Sequence, residues 1–430
     1  MRSTLKRVAV GLTVGAGLLG GFALPAAATA DPNKGQDTKF DFVYLGGSDT
    51  TYDVETRLVD LYNGSPGCAT VNGSGAATGD LDYPIAEPVA GNKATCAGTA
   101  GDPKLNFDHD VVSNIFPTGS SAGVVAAQNG QWHIARSSRP LSGGELTTMT
   151  QAGIAKDGIA VMTFGTKTAG TFTKQQLENI YSCNGTRSDA QGSGLYSYQD
   201  LFGGSDTTLI HPYGMNSSSG TFATFDTFVA PNPSPTAAPG TNCVEAIGNY
   251  ANPPFPAGTD YAFENDAKPV LADATAKGIN HNGVLWWGSF GVLQTYQFKR
   301  QGATFWSIDG DNAGPNPAVA PQTGTIGDNT YPITRQLYRG VLDSTMTTTG
   351  TNGSNLVLST TGATADQAGA ARGFVEWTCQ PNSYFATAPV NPNNNKSYFT
   401  EITGAIEAEG FQRVPAVTGE RNFGACSVGT

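Results

Sequence analysis

The residues in this chain best suited to chemistry are small hydroxyls clustered with glycine. Gly47-Ser48-Asp49-Thr50-Thr51, Thr118-Gly119-Ser120-Ser121-Ala122-Gly123 and Ser217-Ser218-Ser219-Gly220-Thr221 each combine glycine with several Ser or Thr. A fourth stretch, Ala135-Arg136-Ser137-Ser138-Arg139-Pro140-Leu141, sets two guanidinium groups among hydroxyls. Such turns suit anions. A helix N-terminus leaves N–H groups unpaired at the positive end of its dipole, glycine lets a guest approach the backbone, and hydroxyls add donors. One turn of this kind is ordinary helix capping. Four in one chain point to a shared guest.

The turns need elements to hold them, and the flanking sequence supplies these. Lys39–Leu45 alternates Phe40, Phe42 and Tyr44 against Asp41 and Val43, a strand pattern that stops at Gly46-Gly47. Val54, Leu58 and Leu61 then recur at helical spacing. The same order repeats downstream. Asp110–Phe116 reads as a strand leading through the second turn into a small-residue helix ending near Gln128. Thr208–Tyr213 reads as a strand before the third turn, after which Phe222, Phe225, Phe228 and Val229 mark a buried helix face. Strands alternating with helices predict α/β lobes with largely parallel sheets. A chain of roughly 400 residues after processing is long enough for two of them. Pro231–Gly240, Ala313–Gly324 and Asn391–Lys396 read as loops inserted within the lobes.

Composition bounds what this architecture serves. Hydrophobic residues make up 39% of the 430, which suffices for packed cores. Arg2, Lys6 and Arg7 precede an apolar stretch from Val8 to Leu24, and Ala28-Thr29-Ala30 is a small-x-small site, so residues 1–30 are expected to be a signal peptide cleaved near Ala30. No cysteine sits there to take a lipid, and the mature chain is expected to be secreted, without membrane insertion. Losing those three basic residues takes the net charge from −11 to −14, which argues against a nucleic-acid partner. The six cysteines, Cys68, Cys96, Cys183, Cys243, Cys379 and Cys426, are even in number and widely spaced, which predicts three disulfides. Sequential pairing is the working choice among fifteen connectivities. Nothing in the spacing suggests a metal site.

At this point the chain resembles a family, the solute-binding proteins of phosphate-type ABC transporters with the type 2 periplasmic-binding-protein fold. Gly119–Gly123 is similar to the family's Gly-Ser-Ser-Gly-Gly turn and Ala135–Ser142 to its Ser-Asp-x-Pro-Leu segment. Asp157–Val161 resembles its crossover strand, Phe172–Tyr181 its Leu-Thr-x-x-x-Leu-x-x-Ile-Phe helix, and Ser217–Thr221 its Gly-Ser-Gly-Thr anion loop. Gly283–Gly288 stands for the Gly-x-Ile-Gly-Tyr strand, Tyr331–Arg335 for the Tyr-Pro-Leu-Ser-Arg segment and Ala371–Trp377 for the closing helix. The order and spacing carry the likeness more than any single motif.

The resemblance implies two α/β lobes joined by hinge strands, with 31–160 and 285–430 forming lobe I and 161–284 forming lobe II. It also implies a small oxyanion, phosphate first, enclosed between them without catalysis, cofactor or metal, in a monomer whose candidate partner is an ABC permease. The ligand set carried over is Thr50, Thr51, Ser120, Ser138, Ser219, Gly220 and Thr221, with Asp49 and Ser121 as neighbours one position away. Two positions depart from the pattern. Phosphate-specific members carry Asp where this chain has Ser138, and Arg where it has Met215. Asp49 is the candidate replacement acceptor, or else a helix cap. Arg136 or Arg139 is the candidate cation, or else a partner in a surface salt bridge.

Other readings compete. Gly119–Gly123 fits Gly-x-Ser-x-Gly, which would make Ser121 the nucleophile of a secreted hydrolase, with Asp189, Asp200 or Asp206 before His211, or Asp260 before His281. Trp286 and Trp287 beside Tyr296 and Trp306 would form a sugar-stacking platform in a carbohydrate-binding or adhesive protein, unless they fill the core. Asp309–Asn312 hints at a calcium loop but lacks the later bidentate Glu and reads better as a solvated turn.

Overall fold

The computed structural model describes residues 43–63, 112–114, 119–130, 132–183, 195–215, 219–229, 243–245, 265–310, 318–343, 374–375, 378, 395–414 and 427–429. Its strands are β1 (Val43–Gly47), β2 (Val112–Asn114), β3 (Ile134–Ser137), β4 (Met149–Thr163), β5 (Thr171–Thr173) and β6 (His211–Pro212), followed by β7 (Val284–Ser289), β8 (Thr304–Phe305), β9 (Ser307–Asp309), β10 (Thr334–Leu342), β11 (Gln412–Arg413) and β12 (Ser427–Gly429). Its helices are α1 (Tyr52–Asn63), α2 (Ser120–Gln128), α3 (Lys174–Tyr181), α4 (Tyr198–Phe202), α5 (Gly220–Val229), α6 (Ala267–Ala276), α7 (Phe290–Thr295), α8 (Gln297–Arg300), α9 (Thr323–Gly327) and α10 (Tyr398–Ala408).

The long strand β4 organises the fold. Its first part, Met149 to Gly158, pairs antiparallel with β10, which pairs antiparallel with β3, while β1 lies parallel to both β3 and β2. The resulting order is β2-β1-β3-β10-β4. From Ile159 to Thr163 the same strand leaves β10 and pairs with β7, which carries β6 in parallel. One strand therefore belongs to two sheet regions, and its side chains are buried along nearly its whole length. A strand covered on both faces reads as an apolar run rather than an alternation. β4 departs from that by carrying Gln151, Lys156 and Asp157 among its apolar residues, and only its Asp157–Val161 portion was matched, by resemblance to the family's crossover strand.

Helices cover both regions, as the alternation predicts. The α/β class expected from the sequence is what the structure has, but the expectation of largely parallel sheets is corrected. Strands β7, β8, β10, β11 and β12 all pair antiparallel with β4, and β10 also with β3, because β4 runs against each of its neighbours. Among the described strands, parallel pairing is confined to β1 with β2 and β3, β5 with β9 and β6 with β7. Around the second half of β4 the core holds Phe172, Leu177, Tyr181, Phe225, Val229, Trp286, Trp287 and Trp306. Trp287 stacks on Phe225 with centroids 4.2 Å apart. Burying side chains of this size contributes roughly 1.5–3 kcal/mol each. Trp286 and Trp306 are equally enclosed, so the sugar-stacking platform is corrected to core packing. The helix expected over Phe172–Tyr181 begins with a capping box, in which the Thr173 hydroxyl accepts the Gln176 N–H and the Gln176 side chain returns to Thr173.

Cys183 and Cys243 form a disulfide, one of the three expected pairs. The other four cysteines lie outside the described residues, as do residues 1–30, Pro231–Gly240, Ala313–Pro317, Asn391–Asn394 and most of Ala371–Trp377. Among the described residues no helix is long and apolar enough to cross a membrane.

Candidate functional site

Three helix starts converge. The β1–α1 turn brings Thr50 Oγ1 to 3.1 Å from Thr221 Oγ1 at the start of α5, across 171 positions of sequence. The start of α2 brings Ser120 Oγ to 3.1 Å from Ser138 Oγ, and the Ser138 N–H donates to Ser120 Oγ at 3.0 Å. Gly220 joins the two pairs, because a Cβ built on it would lie 2.5 Å from Ser138 Oγ and 2.6 Å from Ser120 Oγ. Only glycine leaves room for this junction. At Gly47, where φ is +131°, a Cβ would lie 2.3 Å from the Arg136 carbonyl oxygen, so the first turn also depends on a bare backbone.

The cation at this junction is Arg335, on β10. Its Nη1 donates to Thr221 Oγ1 at 2.6 Å and to the Ser138 carbonyl at 3.2 Å, and its Nη2 donates to Thr50 Oγ1 at 3.1 Å. Nε and Nη2 also pair with Asp157 Oδ2, at 3.2 and 2.8 Å. The other Asp157 oxygen accepts the Gly291 N–H at 3.1 Å, at the start of α7. A hydroxyl that accepts a guanidinium proton directs its own proton elsewhere. Thr50 and Thr221 thus share Arg335 and meet each other at 3.1 Å, against a buried positive charge that is paired with Asp157.

Of the residues expected as ligands, Thr50, Ser120, Ser138, Gly220 and Thr221 come together. Five others are placed differently. Thr51 Oγ1 donates back to the Ser48 carbonyl at 3.4 Å. Ser219 Oγ caps α5, accepting the N–H groups of Thr221 and Phe222 at 3.0 and 3.1 Å. Ser121 Oγ accepts from Arg139 Nη2 at 3.3 Å. Arg136 is buried with its guanidinium 5.1 Å from the Tyr52 ring centroid. Asp49 accepts from Asn265 Nδ2 at 3.0 Å. Ser217 and Ser218 lie outside the described residues.

Arg139, the other candidate cation, is engaged as a salt-bridge partner. Both its Nη atoms reach Glu145, each at 2.8 Å, which holds that carboxyl down at about 2. Met215, in the position of the family's Arg, is fully buried with its sulfur 3.4 Å from Ser219 Oγ. The sequence reading missed Arg335, Asp157 and Asn265. The first two left a usable signal, being opposite charges in the segments Asp157–Val161 and Tyr331–Arg335 already singled out.

The hydrolase arrangement is not formed among the described residues. Arg139 holds Ser121, while His211 Nδ1 pairs with Glu245 at 3.3 Å and His281 Nε2 with Thr275 at 3.0 Å. No metal-binding group of His, Cys, Asp or Glu occurs among the described residues.

A family model described as the PBP superfamily domain matches residues 106–381. A phosphate-binding protein from Stenotrophomonas maltophilia is similar at 16% identity over 86% of this chain and 90% of its own, with a TM-score of 0.42. An ABC-type phosphate transport receptor from Vibrio cholerae is similar at 17% identity over 70% of this chain and 87% of its own, with a TM-score of 0.39. No curated protein matches the chain at a significant level. The chain thus belongs to the PBP superfamily, and its α/β class is the one expected from its sequence.

Proposed function

We propose that this solute-binding protein encloses one small tetrahedral oxyanion, phosphate first, at the junction of the three helix starts. The observation that carries the reading is Arg335, whose guanidinium reaches hydroxyls on two helix starts from one strand. Hydroxyls, a buried guanidinium and helix N-termini are together the donor set that a desolvated oxyanion needs. The ligands are Thr50, Ser120, Ser138, Gly220 and Thr221, with Arg335 as the cation. Ser219 and Asp157 support them by capping α5 and orienting Arg335.

The lobes follow the sheet. The first crossing lies on β4 at Gly158–Ile159, where pairing passes from β10 to β7. The second lies at the entry to β10, near Thr334, because β7 and β8 pair with the second half of β4. Lobe II then extends beyond residue 284 to the strand that carries Arg335. Closure is a population shift, in which contacts from both lobes favour the closed state because only that state completes them. Residues 1–30 direct secretion, the mature chain works as a monomer, and an ABC permease is the partner that would receive the anion.

Calorimetric titration of the anion-stripped protein with phosphate, sulfate and arsenate tests the reading. Binding is expected at micromolar affinity or tighter, about −8 kcal/mol or better. Silence with all three anions rejects it.

A further inference from the structure

Asn265 has both ends of its side-chain amide engaged. It is fully buried just ahead of α6, whose Ala267, Val270 and Ala274 belong to the core around the second half of β4. Its Oδ1 accepts the backbone N–H of Ser289 at 3.0 Å, and its Nδ2 donates to Asp49 Oδ2 at 3.0 Å. The Ser289 N–H can only donate, so the amide oxygen must face it and the NH2 group must face Asp49. Asp49 lies in the β1–α1 turn, with the sheet order β2-β1-β3-β10-β4, whereas Asn265 and Ser289 lie with the other sheet region. A buried, charge-assisted hydrogen bond therefore joins the two halves of the molecule beside Thr50.

We propose that Asn265 is a positioning residue that latches the Asp49–Thr50 turn over the anion when the lobes close. The inference rests on the solute-binding reading, since a latch has meaning only if the lobes part. Asp49 is the chain neighbour of Thr50, so fixing its carboxylate fixes the Thr50 hydroxyl and the start of α1. The anchor on the other side is firm. Ser289 Oγ accepts the Val292 N–H at 3.3 Å as the N-cap of α7, and Gly291 in the same turn gives its N–H to Asp157, the partner of Arg335. The latch and the site's cation are thus held by one helix start.

A contact made only in the closed state slows departure of the guest and leaves its arrival nearly unchanged, whereas a residue that merely holds the fold lowers the melting temperature of the anion-free protein. The test measures association and dissociation of inorganic phosphate by stopped flow on the full mature chain. For Asn265→Ala, dissociation is expected to rise about tenfold or more and association to stay within about twofold. Because this variant also leaves the buried Ser289 N–H unpaired, the anion-free melting temperature is expected to hold only in Asn265→Asp, which keeps that acceptor. Asn265→Asp is close to isosteric and keeps an acceptor for Ser289, but it sets a carboxylate against Asp49. It should also dissociate fast at neutral pH and recover toward the parent rate as the pH falls, because the new carboxyl donates once protonated. Asn265→Ala should show no such recovery. Asp49, Asp157 and Arg335, the charged groups in this network, are common to all three proteins, so their own titration cancels in the comparison.

Unchanged dissociation in both variants, or a lowered anion-free melting temperature with no change in dissociation, overturns the latch while leaving the solute-binding reading intact. Failure of the parent protein to bind phosphate, sulfate or arsenate overturns the reading itself.

Discussion

Strand β10 carries two buried arginines four positions apart, and their surroundings differ in a way that separates a site from a scaffold. Arg339 sits under α1 with Nε and Nη2 on the two oxygens of Glu55, Nη1 on the Thr378 hydroxyl, and its guanidinium 4.0 Å from the Phe374 ring centroid. Arg335 shares one carboxylate oxygen and turns its other donors to hydroxyls on two helix starts and to the Ser138 carbonyl. A fork closed on a carboxylate is finished, and its charge is spent on holding β10 to α1. A fork resting on hydroxyls is open to exchange, because an oxyanion accepts the same protons more strongly than a hydroxyl does. Burial and charge are common to both residues; what differs is the exchangeability of their partners.

The largest expected effect breaks the scaffold side of this comparison. Arg339→Met leaves Glu55 buried without its counter-charge and should cost about 3–5 kcal/mol of stability in denaturant unfolding. Adding Glu55→Met should recover much of that loss, since removing both charges together avoids the uncompensated one. Anion affinity in the folded double variant should stay within about twofold, because Arg339 has no part in the junction. A middle-sized effect sharpens the site side. Gly220→Ala places a methyl group against Ser120 Oγ and Ser138 Oγ, and anion affinity should fall by about 1–3 kcal/mol as those hydroxyls are pushed apart. Unchanged affinity in calorimetry would remove Gly220 from the site.

The smallest effect concerns a third arginine, Arg139, which is paired nearer the surface. Hydrogen bonds from Arg139 hold Glu145 at about 2, below its ordinary value of 4.5. A depressed carboxyl contributes stability that is present above the ordinary value and lost as the pH falls through the depressed one. Acid titration of unfolding should therefore show a modest loss between pH 4.5 and about 2 that Glu145→Gln abolishes, with no change in anion affinity at neutral pH.

Local patterns were legible in the sequence wherever the physics is local. The β1 strand, the helix faces around Leu58 and Phe225 and the glycine-hydroxyl turns all depend on neighbours a few residues apart. The four turns were found in this way, while the choice of ligand candidates on them came from the family resemblance. The cation was not found, because the choice among Arg136, Arg139 and Arg335 rests on what faces them from distant strands. The pairing of β10 with β4 shifts register between Leu337 and Tyr338, and Arg335 stands opposite Asp157, its ion-pair partner 178 positions away. No spacing rule in a single chain reports such a bulge. Arg136 drew attention because it sits among serines, yet its side chain packs on Tyr52 instead. Asn265 follows a stretch without periodicity, and its role depends on Ser289 and Asp49, which meet only in the folded chain.

The central claim is that Arg335 completes an oxyanion site that its neighbour four residues on does not share. Calorimetric titration of Arg335→Gln with phosphate, beside the parent protein and Arg339→Met/Glu55→Met, tests it most directly. The account predicts micromolar or tighter binding by the parent, a loss of about 1.5–3 kcal/mol or more in Arg335→Gln, and near-parent affinity in the double variant. Equal affinity in Arg335→Gln and the parent, or a loss only when Arg339 is changed, would contradict it.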